Sequence, residues 1–199
     1  MESLKVNQRS GIKDFWGLVL FLFLVLAGTL LINNFVFRSF NVLGPSMEPT
    51  LYTGDRLIVN RIPVTWSMLK FTAYLPERGE VIVFRNPRYT AGSEDEYIVK
   101  RVIAFAGERV TVKDGVMNVY NSTNPTGFAV DETFPDIPGS PTSGEVDTIV
   151  SEGTIFVAGD HREGEYSYDS RSGLGLIPLY DIIGPVGIRV FPFTGIRLF

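Results

Sequence analysis

The stretch Tyr97–Tyr120, YIVKRVIAFAGERVTVKDGVMNVY, decides the class of fold. It holds three short runs rich in β-branched and aromatic residues, separated only by Ala-Gly-Glu and by Asp-Gly. Such side chains suit a pleated, half-buried surface, and Asp-Gly supplies the backbone angles of a two-residue hairpin turn. Gaps this short leave no room for a helical crossover, so consecutive strands pair antiparallel. Working outward, Glu80-Val-Ile-Val-Phe-Arg85 is a continuous apolar run between Arg-Gly and Asn-Pro, the mark of a buried strand. Arg56-Leu-Ile-Val-Asn-Arg61, Thr154-Ile-Phe-Val-Ala-Gly159 and Ile182 to Phe191 read the same way. Ile62 to Tyr74 is open between a loop and a short helix, and Arg88 to Glu96 is a polar loop. The fold expected is mainly β, an antiparallel sheet with one lobe inserted.

Upstream of the strands the composition changes. No charged residue occurs from Phe15 to Phe37, a run longer than the roughly 20 residues a helix needs to span a bilayer and longer than the apolar core of a cleaved signal sequence. This predicts a retained transmembrane helix over 15–37. Lys5, Arg9 and Lys13 precede it and only Arg38 closely follows, so residues 1–14 are expected in the cytoplasm and 38–199 outside. Within the outer part, 121–153 is rich in Pro, Gly, Ser, Thr and Asp and reads as a loop-rich insertion. With 45% hydrophobic residues the chain can bury a core. It has no cysteine and one histidine, which removes disulfides, thiolate zinc, cysteine nucleophiles and histidine-rich metal sites. No cofactor or metal is expected, and a net charge of −4 makes nucleic acid a poor partner.

Three places carry chemistry. Gly44-Pro-Ser-Met-Glu-Pro-Thr-Leu51 holds Ser46 in a turn stiffened by two prolines, just beyond the anchor. Lys100 lies between Ile98 and Val102 on one face of its strand. Burial of that face would disfavour the ammonium form, and a lysine with its ordinary pKa of about 10.4 is neutral in fewer than about one molecule in a thousand at pH 7. Gly159-Asp-His-Arg, followed by Ser167-Tyr-Asp-Ser-Arg171, crowds polar groups after a buried strand. There Asp169 and Arg171 can pair, and Ser167 can offer a hydroxyl to an amine. His161 competes with Lys100 as a base for Ser46, because Ser, His and Asp are all present. A noncatalytic, membrane-tethered β-domain that binds a protein partner is the reading from another class.

Taken together, the three segments and the preceding anchor resemble the type I signal peptidases, membrane-anchored serine proteases with a lysine base. The resemblance implies Ser46 as nucleophile, Lys100 as general base, Ser167 as the hydroxyl that orients the lysine, and Asp169 with Arg171 as a supporting ion pair. It implies a largely antiparallel β-fold with a catalytic core and a smaller inserted lobe. The substrates implied are signal peptides of exported preproteins, met at the lipid bilayer. Some members carry a serine two residues before the nucleophile that helps the oxyanion hole. Here that position is Gly44, which leaves backbone amides, with the Ser46 N–H among them, as the oxyanion donors. His161 stands where the family usually has asparagine, and the resemblance makes it a bystander.

Overall fold

Residues 8–92, 95–133 and 141–199 are described by the computed structural model. The chain opens with helix α1 (Gln8–Phe35), of which Lys13–Phe35 is long and apolar enough to cross a membrane and is not buried by the rest of the protein. Two of its polar side chains bond within the helix: the Thr29 hydroxyl donates to the Val25 carbonyl and the Asn34 amide to that of Leu30. A helix apolar all round and uncovered by protein suits hydrocarbon better than water. Residues 1–7 of the expected cytoplasmic segment lie outside the described residues.

The chain then runs through β1 (Phe37–Asn41), β2 (Arg56–Asn60), helix α2 (Ile62–Leu69), β3 (Val81–Arg85) and β4 (Tyr97–Phe105). The stretch open between loop and helix is thus helical over its first half. Next come β5 (Arg109–Lys113), β6 (Val116–Tyr120), β7 (Phe128–Ala129), the single turn α3 (Val130–Thr133) and β8 (Val146–Ile149). Last are β9 (Thr154–Ala158), β10 (Ile177–Pro178), β11 (Ile182–Phe191) and β12 (Arg197–Leu198). The larger sheet has the order β1-β2-β11-β3-β4-β9-β10, with β12 also on β11, and the smaller has β7-β6-β5-β8. Every pairing is antiparallel, as the short gaps require. Strand β11 shifts register against both β2 and β3, and such bulges add local twist that curls the sheet.

The smaller sheet shows how the region 121–153 is used. Low in periodicity, it still supplies β7 and β8, which flank the Asp-Gly hairpin of β5 and β6; its residues 134–140 lie outside the described residues. Val110, Val112, Met117 and Val119 of this sheet pack with Ile103, Phe156 and Ala158 at the end of the larger one. Strand β3 shows why its sequence is continuously apolar. Ile82 and Phe84 join Val64, Val102 and Val157 in one cluster, whereas Val81 and Val83 join Met47, Leu51 and Leu57 in another. Both faces of the strand are therefore covered.

Phe84 is fully buried and pairs with Ile98 across the sheet. Phe84→Ala should cost about 3–5 kcal/mol of unfolding free energy, read as a lower denaturant midpoint in micelles. A loss below about 1 kcal/mol would mean that this face is loosely packed.

Candidate active site

Ser46 owes its position to apolar neighbours. Val42, Met47 and Leu51 are buried in one cluster with Leu57, Val59 and Val186, which pins the chain before and after the serine. Gly44 adopts φ +86, a left-handed conformation that side chains resist, and thereby turns the chain toward the sheet. The Glu48 N–H donates to the Pro45 carbonyl at 3.0 Å and the Leu51 N–H to that of Met47 at 2.9 Å. What is left half-buried at the surface of this turn is the Ser46 side chain.

Lys100 belongs to an interior strand. β4 is bonded on one side to β3, with Lys100 opposite Ile82, and on the other to β9, so only 3% of the residue is exposed. Its Nζ donates to Ser46 Oγ at 2.6 Å and to the Val99 carbonyl at 3.0 Å. Burial pushes the amine down to about 8; Asp169 and Asp160 pull it back up, and Arg171 pushes it down further. At that value about one molecule in ten carries a neutral lysine at pH 7.

The third cluster closes around Asp169, which is fully buried. Burial alone would raise its carboxyl, but Arg171, the Ser167 hydroxyl and the Gly159 amide outweigh burial and hold it below the usual range. Arg171 Nη2 donates to Asp169 Oδ2 at 2.7 Å, and the Arg171 backbone N–H donates to Oδ1 at 2.9 Å. The Ser167 hydroxyl donates to Oδ2 at 2.6 Å and the Gly159 N–H at 2.9 Å. Gly159 is pressed against both other segments: a Cβ there would stand 2.2 Å from Ser167 Oγ and 2.3 Å from the Ser46 carbonyl oxygen. Only glycine lets β9 end this close to the Ser46 turn.

His161 is attached to the same turn by its backbone. Its N–H donates to the Ser46 carbonyl at 3.1 Å, its Nδ1 lies 3.2 Å from the Pro45 carbonyl, and its ring stacks on Tyr166 at 4.6 Å. A carbonyl can only accept, so the contact places a proton on Nδ1. The ring thus braces the loop, while the Ser46 hydroxyl is met by Lys100. Two buried ion pairs escaped the sequence reading. Arg101 donates to Asp160 through Nε at 2.8 Å and Nη2 at 2.6 Å, and Arg162 Nη1 donates to Asp131 at 2.8 Å. Their signal was the presence of charges beside Lys100 and Gly159 in runs otherwise buried. Beside Ser46 and Lys100 opens a cleft of about 280 Å³, walled by Leu43, Ile98, Val99, Tyr166 and Tyr168, with Asp95 at its edge. Tyr166, Tyr168 and Asp95 also went unread, because polar loop residues give no hint of which way they face. Among the described residues no group of three His, Asp or Glu side chains is placed to hold a metal ion.

A hydroxyl against a buried amine, beside an open cleft, is an arrangement suited to acyl transfer. Residues 15–191 match the family model described as signal peptidase, peptidase S26. Signal peptidase I P of Bacillus subtilis subsp. natto is 32% identical over 193 residues, 96% of this chain and 95% of that one. Signal peptidase IB of Staphylococcus aureus is 32% identical over 175 residues, covering 82% of this chain and 83% of its own. The crystal structure of a signal peptidase I from Enterococcus faecalis V583 aligns with a TM-score of 0.43 at 23% identity, covering 57% of this chain and 98% of that chain. With a family model matched over most of its length and relatives above 30% identity that it spans almost entirely, the chain belongs to the signal peptidase family, peptidase S26.

Proposed function

We propose that this chain is a membrane-anchored serine endopeptidase that removes signal peptides from exported preproteins, with Ser46 as nucleophile and Lys100 as general base. The observation that carries the assignment of roles is the 2.6 Å contact between Ser46 Oγ and a lysine amine held near pKa 8 by burial. The names of the relatives, signal peptidases I, support the substrate class. In the proposed topology residues 1–14 are cytoplasmic, 15–37 cross the bilayer, and 38–199 form the catalytic part on the far side.

Neutral Lys100 takes the Ser46 proton as Oγ attacks the scissile carbonyl, and the ammonium then gives that proton to the departing amine. The Ser46 and Gly44 backbone N–H groups are the donors assigned to the developing oxyanion. Lys100, neutral again, draws a proton from water, whose oxygen attacks the acyl-enzyme and frees Ser46. Ser167 has its own proton committed to Asp169, so it would meet the lysine amine, which donates to Ser46 and Val99, only as an acceptor. Asp169 and Arg171 hold that hydroxyl in place. The cleft has room for an extended peptide, and the resemblance to the signal peptidases implies small side chains near the scissile bond.

Ser46→Ala should abolish preprotein cleavage in vesicles, and Lys100→Ala should lower it by about a hundredfold or more, with His161→Ala as control. Near-normal activity in Lys100→Ala combined with its loss in His161→Ala would transfer the role of base to the histidine.

The pH profile supplies an independent check. A base works in its deprotonated form, so kcat/KM should rise with pH through about 8, the value to which burial lowers Lys100, and level off above it. Asp169, held low, stays ionised across this range. A rising limb near 6.5, where an ordinary histidine titrates, would contradict the lysine.

A further inference from the structure

The cleft beside Ser46 carries a charge that the proposed chemistry does not use. Apart from its tyrosines it is lined by two ionisable side chains, buried Lys100 and exposed Asp95. Lys100 must be neutral to act as a base, which leaves Asp95 to set the charge of the cleft. The Asp95 carboxylate forms neither an ion pair nor a hydrogen bond among the described residues; the bond it takes part in is made by its backbone carbonyl. Its field reaches the reacting groups, since Asp95 is among the carboxylates that favour the ammonium form of Lys100.

This carboxylate sits on a fixed piece of backbone. Buried Asn86, just past the end of β3, donates from its side-chain amide to the Asp95 carbonyl at 2.9 Å and from its N–H to the Glu96 carbonyl at 2.9 Å. The two residues that lead into β4 are thereby pinned, and a group held in place gives up little freedom when a ligand meets it. The same cleft is walled by Tyr166 and Tyr168, which are 60% and 44% exposed. Tyr166 rests against the His161 ring, which steadies it and leaves the remainder of its own ring open. Aromatic faces attract cations, as the guanidinium of Arg38 shows 4.5 Å from the centre of the Tyr97 ring. That cation is already taken up by Tyr97 and Phe40 and is not part of the cleft wall. A carboxylate and two phenol rings, with apolar surface from Ile98 and Val99 beside them, are complementary to a cationic head on an apolar stem.

We infer that Asp95, with Tyr166 and Tyr168, forms a subsite for a basic side chain of the substrate, a lysine or an arginine. A glutamate or aspartate in the same place meets a like charge and is rejected. The cleft of about 280 Å³ also holds Ser46, and extended peptide crosses a space of that size in about two or three residues. The basic residue therefore lies within that distance of the scissile bond. The inference rests on the reading of Ser46 and Lys100 as the dyad of a peptidase and adds to it a class of residue that its substrates carry near the cut.

Peptide cleavage by the full chain in detergent micelles tests it. Internally quenched peptides of one sequence, with small side chains around the scissile bond, carry lysine, glutamine or glutamate at each position in turn, from the third before the bond to the third after it. At one position kcat/KM should favour lysine over glutamine by about three- to tenfold, the reach of one partly exposed ion pair and one cation–π contact. Glutamate there should be slower than glutamine, and both differences should shrink as salt is added. Asp95→Asn should bring the lysine-to-glutamine ratio down to about two or less, and Asp95→Lys should make glutamate the better of the two charged residues. Each ratio is read within one enzyme, so a variant of lower overall activity still reports. Lysine and glutamate peptides cut alike by the unaltered protein at every position would mean that the subsite does not exist, with the peptidase reading intact. A lysine preference that survives Asp95→Asn undiminished would take Asp95 out of it and overturn the assignment. Failure of the unaltered protein to cut any of the peptides or a preprotein would remove the peptidase reading, and the subsite with it.

Discussion

An amine deprived of water is the constraint on which the rest of the site depends. Lys100 can serve as a base only if desolvation outweighs the carboxylates that surround it, and the balance is set by where each group sits. Burial in an interior strand lowers the amine, while Asp169 and Asp160 oppose that shift. Both acids are themselves paired to arginines, Asp169 to Arg171 and Asp160 to Arg101. An unpaired carboxylate at either place would act on the lysine at full strength in a medium of low dielectric and return it toward the ammonium form. The ion pairs therefore let burial dominate at the amine, as well as tying loops together.

These pairs are poor candidates for raw stabilisation. Buried salt bridges roughly balance desolvation against attraction, yet losing one partner strands a charge at a cost of about 3–5 kcal/mol. Their effect is to allow one arrangement of backbone. Arg101 also donates to the Gly79 carbonyl, Arg162 to that of Gly159, and Arg171 to that of Arg162. Through Asp131, Arg162 links the 159–171 loop to the smaller sheet, and the Ser143 N–H donates to the Arg162 carbonyl at 2.9 Å. The inserted lobe thus braces the loop that braces Ser46. His161 completes this chain of support by holding the Pro45 and Ser46 carbonyls.

The strands were legible because their chemistry is local: β-branched runs, an Asp-Gly turn and gaps too short for helices leave one solution. The long apolar helix α1 was legible for the same reason. The distribution of 121–153 was harder, since β7 and β8 are short strands whose pairing comes from β6 and β5, not from their own periodicity. Alternation placed Lys100 between apolar neighbours, but burial depended on β3 and β9 covering both edges of its strand, a property of sheet order that no single segment contains. Spacing left His161 competing with Lys100 and only the resemblance made it a bystander; its contact with the Pro45 carbonyl spans more than a hundred residues.

The hairpin between α1 and Ser46 sets a distance. β1 leaves the end of α1 at Phe37 and reaches Asn41, and β2 returns from Arg56 to Asn60 beside it, bringing the chain back to α2. Five residues of strand span about 17 Å, and Ser46 lies beyond the far end. With α1 spanning a bilayer, the length of this hairpin would act as a spacer between the membrane surface and the cleft. A peptide whose apolar segment ends at that surface must then cross a similar distance in extended form, about five residues, before its scissile bond meets Ser46. Strand length, read this way, would select where along a membrane-inserted peptide the cut falls, separately from the side chains that the cleft accepts.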